Sequence, residues 1–223
     1  MKYLFLIFVF LAMYGLSADS KEKETIEYYN THAQERIKMR GVDGDKCSRW
    51  IEFIEELQKY VSPGAVVLDI GFGGGLEARK FIKKGYDYTG IEPAEQAVSL
   101  IKERFPDQRF LKGSIYSLEF PDNFFDVLWC TAVLLHIPPE KINLALQEMK
   151  RVLKPGGILF IALIEGKGEL YHEDSRWYFL YEQKEFADIL ERNGLTIEKM
   201  EILPDTGHQT LRKTWITVFA RKK

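Results

Sequence analysis

The chain has 223 residues, of which 46% are hydrophobic and 29% charged, and its formal net charge is −2. That length holds one domain with a substantial core and does not require two, and the composition excludes a disordered chain. No basic excess argues for nucleic acid, and Cys47 and Cys130 stand too far apart for a metal-ligand spacing or a disulfide framework.

Residues 1–20 stand apart. Lys2 precedes an uncharged run from Tyr3 to Leu16, and Ser17-Ala18 follows, the pattern of a basic start, an apolar stretch and a small residue at a cleavage site. The run is shorter than the ~20 residues that span a bilayer. A cleaved export signal, a membrane anchor through residues 3–18 and a dispensable extension all fit this segment, and a single domain is expected over residues 21–223. From Lys21 to Met39, Ile26, Tyr29, Ala33 and Ile37 recur at helical spacing. After a turn-rich break at residues 41–45, Cys47, Trp50, Ile51, Ile54, Leu57 and Val61 mark a second amphipathic helix, ended by Ser62-Pro63-Gly64.

Val66 to Ile70 is an apolar run interrupted only by Asp69, and it opens at once into Gly71-Phe72-Gly73-Gly74-Gly75. This reads as a buried strand, a tight turn and a helix N-terminus, where free N–H groups favour a polar or anionic ligand. The helix carries Ala78, Phe81 and Ile82 inward and ends at Gly85. Residues 86–91 form a second strand ending at Glu92, and Pro93 starts the next helix at its tolerated first position. A short third strand, residues 109–111, ends at Gly113-Ser114-Ile115. The fourth strand spans residues 125–131, and Pro138-Pro139 begins a helix with Ile142, Ala145, Leu146, Met149, Val152 and Leu153 inward. Residues 154–157 are a turn into the fifth strand, residues 158–163. Residues 165–181 are irregular and aromatic, residues 182–193 are a helix, and residues 196–203 and 214–221 are strands able to pair antiparallel across a loop at residues 204–212. Alternating strands and helices predict a parallel sheet covered on both faces.

In such sheets ligands bind at the carboxyl ends of the strands. Four segments fall there: Asp69 with the glycines, Glu92, Gly113-Ser114-Ile115, and the stretch from Cys130-Thr131 to His136. A carboxylate at the end of the second strand suits a ribose diol, because it accepts two hydroxyl hydrogen bonds. The glycine run also fits a nicotinamide-dependent Rossmann oxidoreductase, but a pyrophosphate has no use for the acid at Asp69.

The ordered set Asp69-x-Gly71-x-Gly73-x-Gly75, Glu92, Phe125-Asp126-Val127-Leu128, Leu135-His136-Ile137-Pro138 and Arg151-Val152-Leu153-Lys154-Pro155-Gly156-Gly157 resembles the class I S-adenosylmethionine-dependent methyltransferases, closest to the "methyltransferase domain 11" type, over roughly residues 25–221. The resemblance implies a Rossmann-like three-layer sandwich, its seven-stranded sheet mostly parallel with the last strand antiparallel. It implies S-adenosyl-L-methionine as cofactor. The wall would be Gly71, Phe72, Gly73, Gly75, Pro93 and Thr131, with Asp69 at the methionine amino end, Glu92 on the ribose hydroxyls, and Ser114 and Ile115 flanking the adenine. Many relatives carry Asp where Ser114 stands.

Transfer from a sulfonium is an in-line displacement on an activated carbon, so proximity and alignment carry most of it. His136 is the candidate general base for a protonated acceptor. The aromatic segment around Arg176 and Trp177 is expected to fold over the cleft as a lid, with Tyr29 and Arg36 of the first helix closing beside it over a small-molecule substrate. Trp50 and Trp129 read as core. A monomer acting on a small molecule is expected, since no recognition domain or basic patch is there to hold a polymer, and a cytoplasmic catalytic domain is expected from where that methyl donor is made. The alternatives are the NAD(P)-dependent oxidoreductase and a non-catalytic module that only binds the cofactor.

Overall fold

The computed structural model describes residues 17–40, 50–204 and 214–223. In chain order the elements are α1 (Ala18–Thr31), α2 (Ala33–Arg40), α3 (Ile51–Leu57), β1 (Val66–Ile70), α4 (Leu76–Lys83), β2 (Asp87–Glu92), α5 (Glu95–Arg104), β3 (Arg109–Lys112), β4 (Phe125–Thr131), α6 (Ile142–Val152), β5 (Leu153–Ile164), β6 (Gly168–Tyr171), β7 (Trp177–Leu180), α7 (Gln183–Arg192), β8 (Leu195–Pro204) and β9 (Thr214–Lys222). Seven strands form one sheet in the order β3-β2-β1-β4-β5-β9-β8. Pairing is parallel from β3 to β5, and β9 runs antiparallel to both β5 and β8.

The sheet is buried on both faces, which is why its central strands read as nearly continuous apolar runs. Along β5, Leu159, Ile161 and Leu163 point to one core, packed under α6 and α7. Ile158, Phe160 and Ala162 point to the other, under α3, α4 and α5. Trp129 stacks on Phe160 at 4.1 Å and Trp50 packs against Phe53, so both indoles are core.

Several boundaries move. The first predicted helix breaks at His32 into α1 and α2. Helix α1 begins at Ala18, with Ser17 as N-cap, three residues before the Lys21 start expected for the first helix. Pro93 precedes α5, whose N-cap is Ala94. The turn read at residues 154–157 lies inside β5: Phe125 pairs with Leu153 and Val127 with Ile158, so the intervening residues bulge out of register. The aromatic stretch read as irregular contains an antiparallel hairpin, β6–β7. Cys47, the 41–45 break and the loop at residues 205–213 lie outside the described residues. Among those described, no helix is long and apolar enough to cross a membrane.

Candidate functional site

A cavity of about 220 Å³ opens at the carboxyl ends of β1, β2, β3 and β4. Two walls face each other across it. One is made of strand-end loops, the other of helices α1 and α2.

The strand-end wall starts at Gly71, which follows β1 directly. Its φ is +75°, and a Cβ there would lie 2.3 Å from Cγ2 of Val133. Only glycine meets both the backbone conformation and that close approach. The Gly71 N–H donates to the Ile91 carbonyl at 2.8 Å, tying the turn to β2. Gly73 and Gly74 continue the wall. Glu92 is buried at the end of β2. Its Oε1 accepts the Ala94 N–H and its Oε2 the Gly73 N–H, each at 3.2 Å. Burial pushes the carboxyl up to about 7, against the pull of those two N–H groups and of Arg36. Two lone-pair directions on this carboxylate stay available to a ligand. Ile91, Pro93, Gly113, Ser114 and Ile115 form a slot beside it, and Thr131, Ala132 and Val133 close the floor after β4. Ala132 has φ +57°, a conformation a non-glycine residue seldom adopts.

Helix α1 supplies Glu22, Thr25, Ile26 and Tyr29, and α2 supplies Arg36. The first four sit at i, i+3, i+4 and i+7, one stripe of a helix. Polar contacts fasten α1. Lys21 Nζ pairs with Glu169 of β6 at 2.7 Å and lies over the Trp177 ring. Lys141 holds both Asp19 and Glu22. The Trp177 N–H donates to Thr25 Oγ1 at 3.0 Å and its indole N–H to Glu24 at 2.9 Å. Asn30 Oδ1 accepts the Gln96 N–H in the first turn of α5 at 2.9 Å.

His136 joins the two walls. Its Nδ1 lies 2.6 Å from the Trp177 carbonyl and its Nε2 2.9 Å from the Tyr29 hydroxyl. Arg176 Nη1 donates to the same hydroxyl at 3.1 Å, and Arg176 also forks onto Asp174. Burial drives the imidazole down to about 3; the Trp177 carbonyl opposes this, and Arg176 and Arg36 add to it. Burial works against the charge on Asp174, yet Arg176 and His172 hold its carboxyl at about 2.

Ten of the residues expected from the sequence line the cavity: Tyr29, Arg36, Gly71, Gly73, Glu92, Pro93, Ser114, Ile115, Thr131 and His136. Five do not. Asp69 is buried behind the wall, where its Oδ2 accepts the Tyr88 hydroxyl at 2.8 Å. Burial, then the Glu77 and Glu92 carboxylates, push its carboxyl well above the usual range. Phe72 packs edge-on against Phe110 in the core. Gly75 caps α4, and a Cβ there would press on Ile101 at 3.1 Å, so its smallness serves helix packing. Arg176 and Trp177 reach the cavity only through Tyr29, His136 and Thr25. Sequence reasoning missed Glu22, Thr25 and Ile26 as lining residues, while Ala132 and Val133 fall in the stretch it had placed at the fourth strand end; extending the Ile26–Tyr29 stripe backward by one turn would have found the first two.

Residues 68–161 match the family described as "Methyltransferase domain". The 2-methyl-6-phytyl-1,4-hydroquinone methyltransferase of Synechocystis sp. is 34% identical over 121 residues, covering 50% of this chain and 37% of that protein. The demethylmenaquinone methyltransferase of Renibacterium salmoninarum is 34% identical over 115 residues, covering 51% of this chain and 47% of that protein. The chain thus spans less than half the length of these curated relatives. In fold it is similar to the 1,6-didemethyltoxoflavin-N1-methyltransferase of Burkholderia thailandensis, solved with 1,6-didemethyltoxoflavin and S-adenosylhomocysteine bound (TM-score 0.76, 21% identity, 93% of this chain and 91% of that one). It is also similar in fold to the [4+2]-cyclase SpnF (TM-score 0.71, 19% identity, 91% of this chain and 96% of that one), so this fold by itself does not dictate the reaction.

Proposed function

We propose, from the match of residues 68–161 to the methyltransferase-domain family, that the protein transfers a methyl group from S-adenosylmethionine to a small-molecule acceptor by in-line displacement. The observation that carries this reading is Glu92, a buried carboxylate held by the Gly73 and Ala94 N–H groups beside the glycine turn. Its free lone pairs suit a vicinal diol. Arg36 lines the same cavity and offers a cation to a carboxylate, and Ile91, Pro93 and Ile115 offer an apolar slot to a purine. A diol, a purine and an amino-acid carboxylate together describe S-adenosylmethionine, so the donor set fits the group.

S-adenosylmethionine supplies a methyl group on a sulfonium, already activated for displacement. The residues then bind and orient. Glu92 fixes the ribose, Ser114 and Ile115 border the adenine, and the Gly71–Gly73 backbone lets the ligand approach closely. Asp69 acts from behind the wall, by holding β1 to Tyr88, and not through direct contact. Helix α1 excludes water from the acceptor side, which strengthens alignment and electrostatics inside. The two curated relatives are named for 2-methyl-6-phytyl-1,4-hydroquinone and for demethylmenaquinone, which supports a small-molecule acceptor here. A methyl donor made in the cytosol favours a cytoplasmic catalytic domain.

Calorimetry with S-adenosylhomocysteine and with NAD separates this reading from an oxidoreductase. We expect micromolar S-adenosylhomocysteine binding and no NAD binding; the reverse pattern would sink it. Transfer of labelled methyl groups to a panel of small quinols, phenols, thiols and amines then distinguishes an enzyme from a module that only binds.

A further inference from the structure

We infer that His136 is a positioning residue rather than the base, and that the methyl acceptor is an apolar-bodied small molecule whose nucleophilic atom is already unprotonated at the working pH. This rests on the methyltransferase reading of the cavity.

The hydrogen-bond directions on the acceptor side are fixed by elementary inventory. The Trp177 carbonyl can only accept, so the proton of the neutral imidazole sits on Nδ1. Nε2 is then a lone pair, and the Tyr29 hydroxyl donates its proton to it. The Tyr29 oxygen in turn receives an Arg176 N–H. The relay runs one way, from Arg176 through Tyr29 and His136 to the backbone of β7. The lone pair a base would use is already occupied. Taking up a proton would force the Tyr29 bond to reverse and leave a cation in a buried site facing Arg176 and Arg36, with Asp174 already committed to Arg176 and the Tyr178 ring closing the other side. The depressed imidazole agrees with this geometry.

The neighbouring polar groups are equally committed. Thr25 donates to the Lys21 carbonyl and accepts from the Trp177 N–H. Glu22 pairs with Lys141, and the Tyr116 phenol lies beside it. With Arg36 given to the carboxylate of the methyl donor, what the cavity around His136 still offers an acceptor is the Tyr29 ring and the side chains of Ile26, Val133 and Ile137. It selects by shape and apolar contact. An acceptor held this way brings its own lone pair, as a ring nitrogen, a thiolate or an acidic hydroxyl ionised in water does. That pair forms the new bond to the methyl carbon, the carbon–sulfur bond breaks, and its electrons stay on sulfur. Any remaining proton leaves to water afterwards.

Long-range ¹H–¹⁵N spectra of the full-length protein read the tautomer directly, with the ring assigned by His136→Gln. We expect an Nδ1–H tautomer that does not titrate between pH 8 and pH 5; a midpoint between 6 and 7 overturns the inference. Binding of S-adenosylhomocysteine gives a second readout. Loss of the relay in His136→Ala should weaken it about tenfold, because Tyr29 no longer holds α1 down. His136→Gln should return it to within about threefold, since the amide oxygen can take the Tyr29 proton. A base that touches only the acceptor would leave this affinity unchanged in both variants, and that result also overturns the inference. Methyl transfer to an un-ionised alcohol that vanishes in His136→Gln does the same. Failure of the wild-type protein to bind S-adenosylhomocysteine would instead defeat the methyltransferase reading, while the tautomer result still decides the role of His136.

Discussion

Glu92 and Tyr29 face the same cavity, yet they are held there by different physics. Glu92 sits at the end of a strand buried on both faces, and its carboxylate is fixed by backbone N–H groups two and nineteen residues away. The Gly71 turn below it is packed against Val133 and bonded to β2. This wall cannot move without disturbing the sheet. Tyr29 belongs to a helix whose fastenings are ion pairs, single hydrogen bonds and cation–π contacts to the β6–β7 hairpin and to Lys141. Such contacts contribute little each and weaken with salt. One wall is part of the core; the other is joined to it by these polar contacts and by a small apolar seam, where Tyr29 and Ala33 pack with Ala94 and Ala97.

The largest test of that contrast is Gly71→Ala. The added Cβ would strike Val133 in a backbone conformation that disfavours alanine. We expect S-adenosylhomocysteine affinity to fall by about 100-fold or more and stability to drop by about 1–3 kcal/mol, as for other overpacked sites. Tight binding in a well-folded variant would show that this wall yields as easily as the helical one.

Glu92→Gln comes next and separates binding from stability. The folded carboxyl titrates near 7 against an ordinary value of 4.5. A raised carboxyl binds its proton more tightly in the folded state, so the ligand-free protein loses stability as pH rises from about 4.5 to about 7, by up to about 3 kcal/mol. The glutamine variant should lack that slope in denaturant titrations. Its ligand affinity should fall by about 10- to 100-fold, for loss of hydrogen bonds to a charged acceptor. In the wild type, a ligand that needs the carboxylate should bind more weakly as pH drops below about 7, by at most tenfold per unit. Flat affinity between pH 8 and pH 5.5 would remove Glu92 from the diol role.

Lys141→Met probes the helical wall and should have the smallest effect. It strips the cation shared by Asp19 and Glu22. A loss of about 1 kcal/mol corresponds to roughly fivefold in affinity. The melting temperature should change by no more than about 2–4 °C, because the core is untouched. Wild-type affinity should weaken with added sodium chloride, and the variant less so. A collapse in melting temperature would mean that α1 is as integral as the sheet.

Most of the first wall could be read from residues in order. An apolar run, an acid, glycines and a helix stripe are local signals, and their repetition names a parallel sheet with ligands at its strand ends. Gly71, Gly73, Glu92, Ser114 and Ile115 were legible because each closes a strand or opens the turn after one. The same locality misplaced Asp69. Its position beside the glycines suggests a ligand, and only the pleat, which turns its side chain toward Tyr88, puts it behind the wall.

Of the second wall, only the helix with Tyr29 and Arg36 near the cleft could be read in that way. Tyr29 and His136 are 107 residues apart, and Trp177 meets Thr25 across 152. No periodicity announces such pairs: the spacing of Ile26, Tyr29, Ala33 and Ile37 announces a helix, not the partners its polar side chains meet. The hairpin hid in a stretch that is short, aromatic and broken by glycine. By itself the order of residues determined the sheet, the glycine turn and the carboxylate beside it, because those follow from backbone geometry and local burial. The tertiary structure alone decided that a hairpin holds α1 and that His136 spends both nitrogens joining them, because long-range hydrogen bonds depend on which surfaces the finished fold brings together.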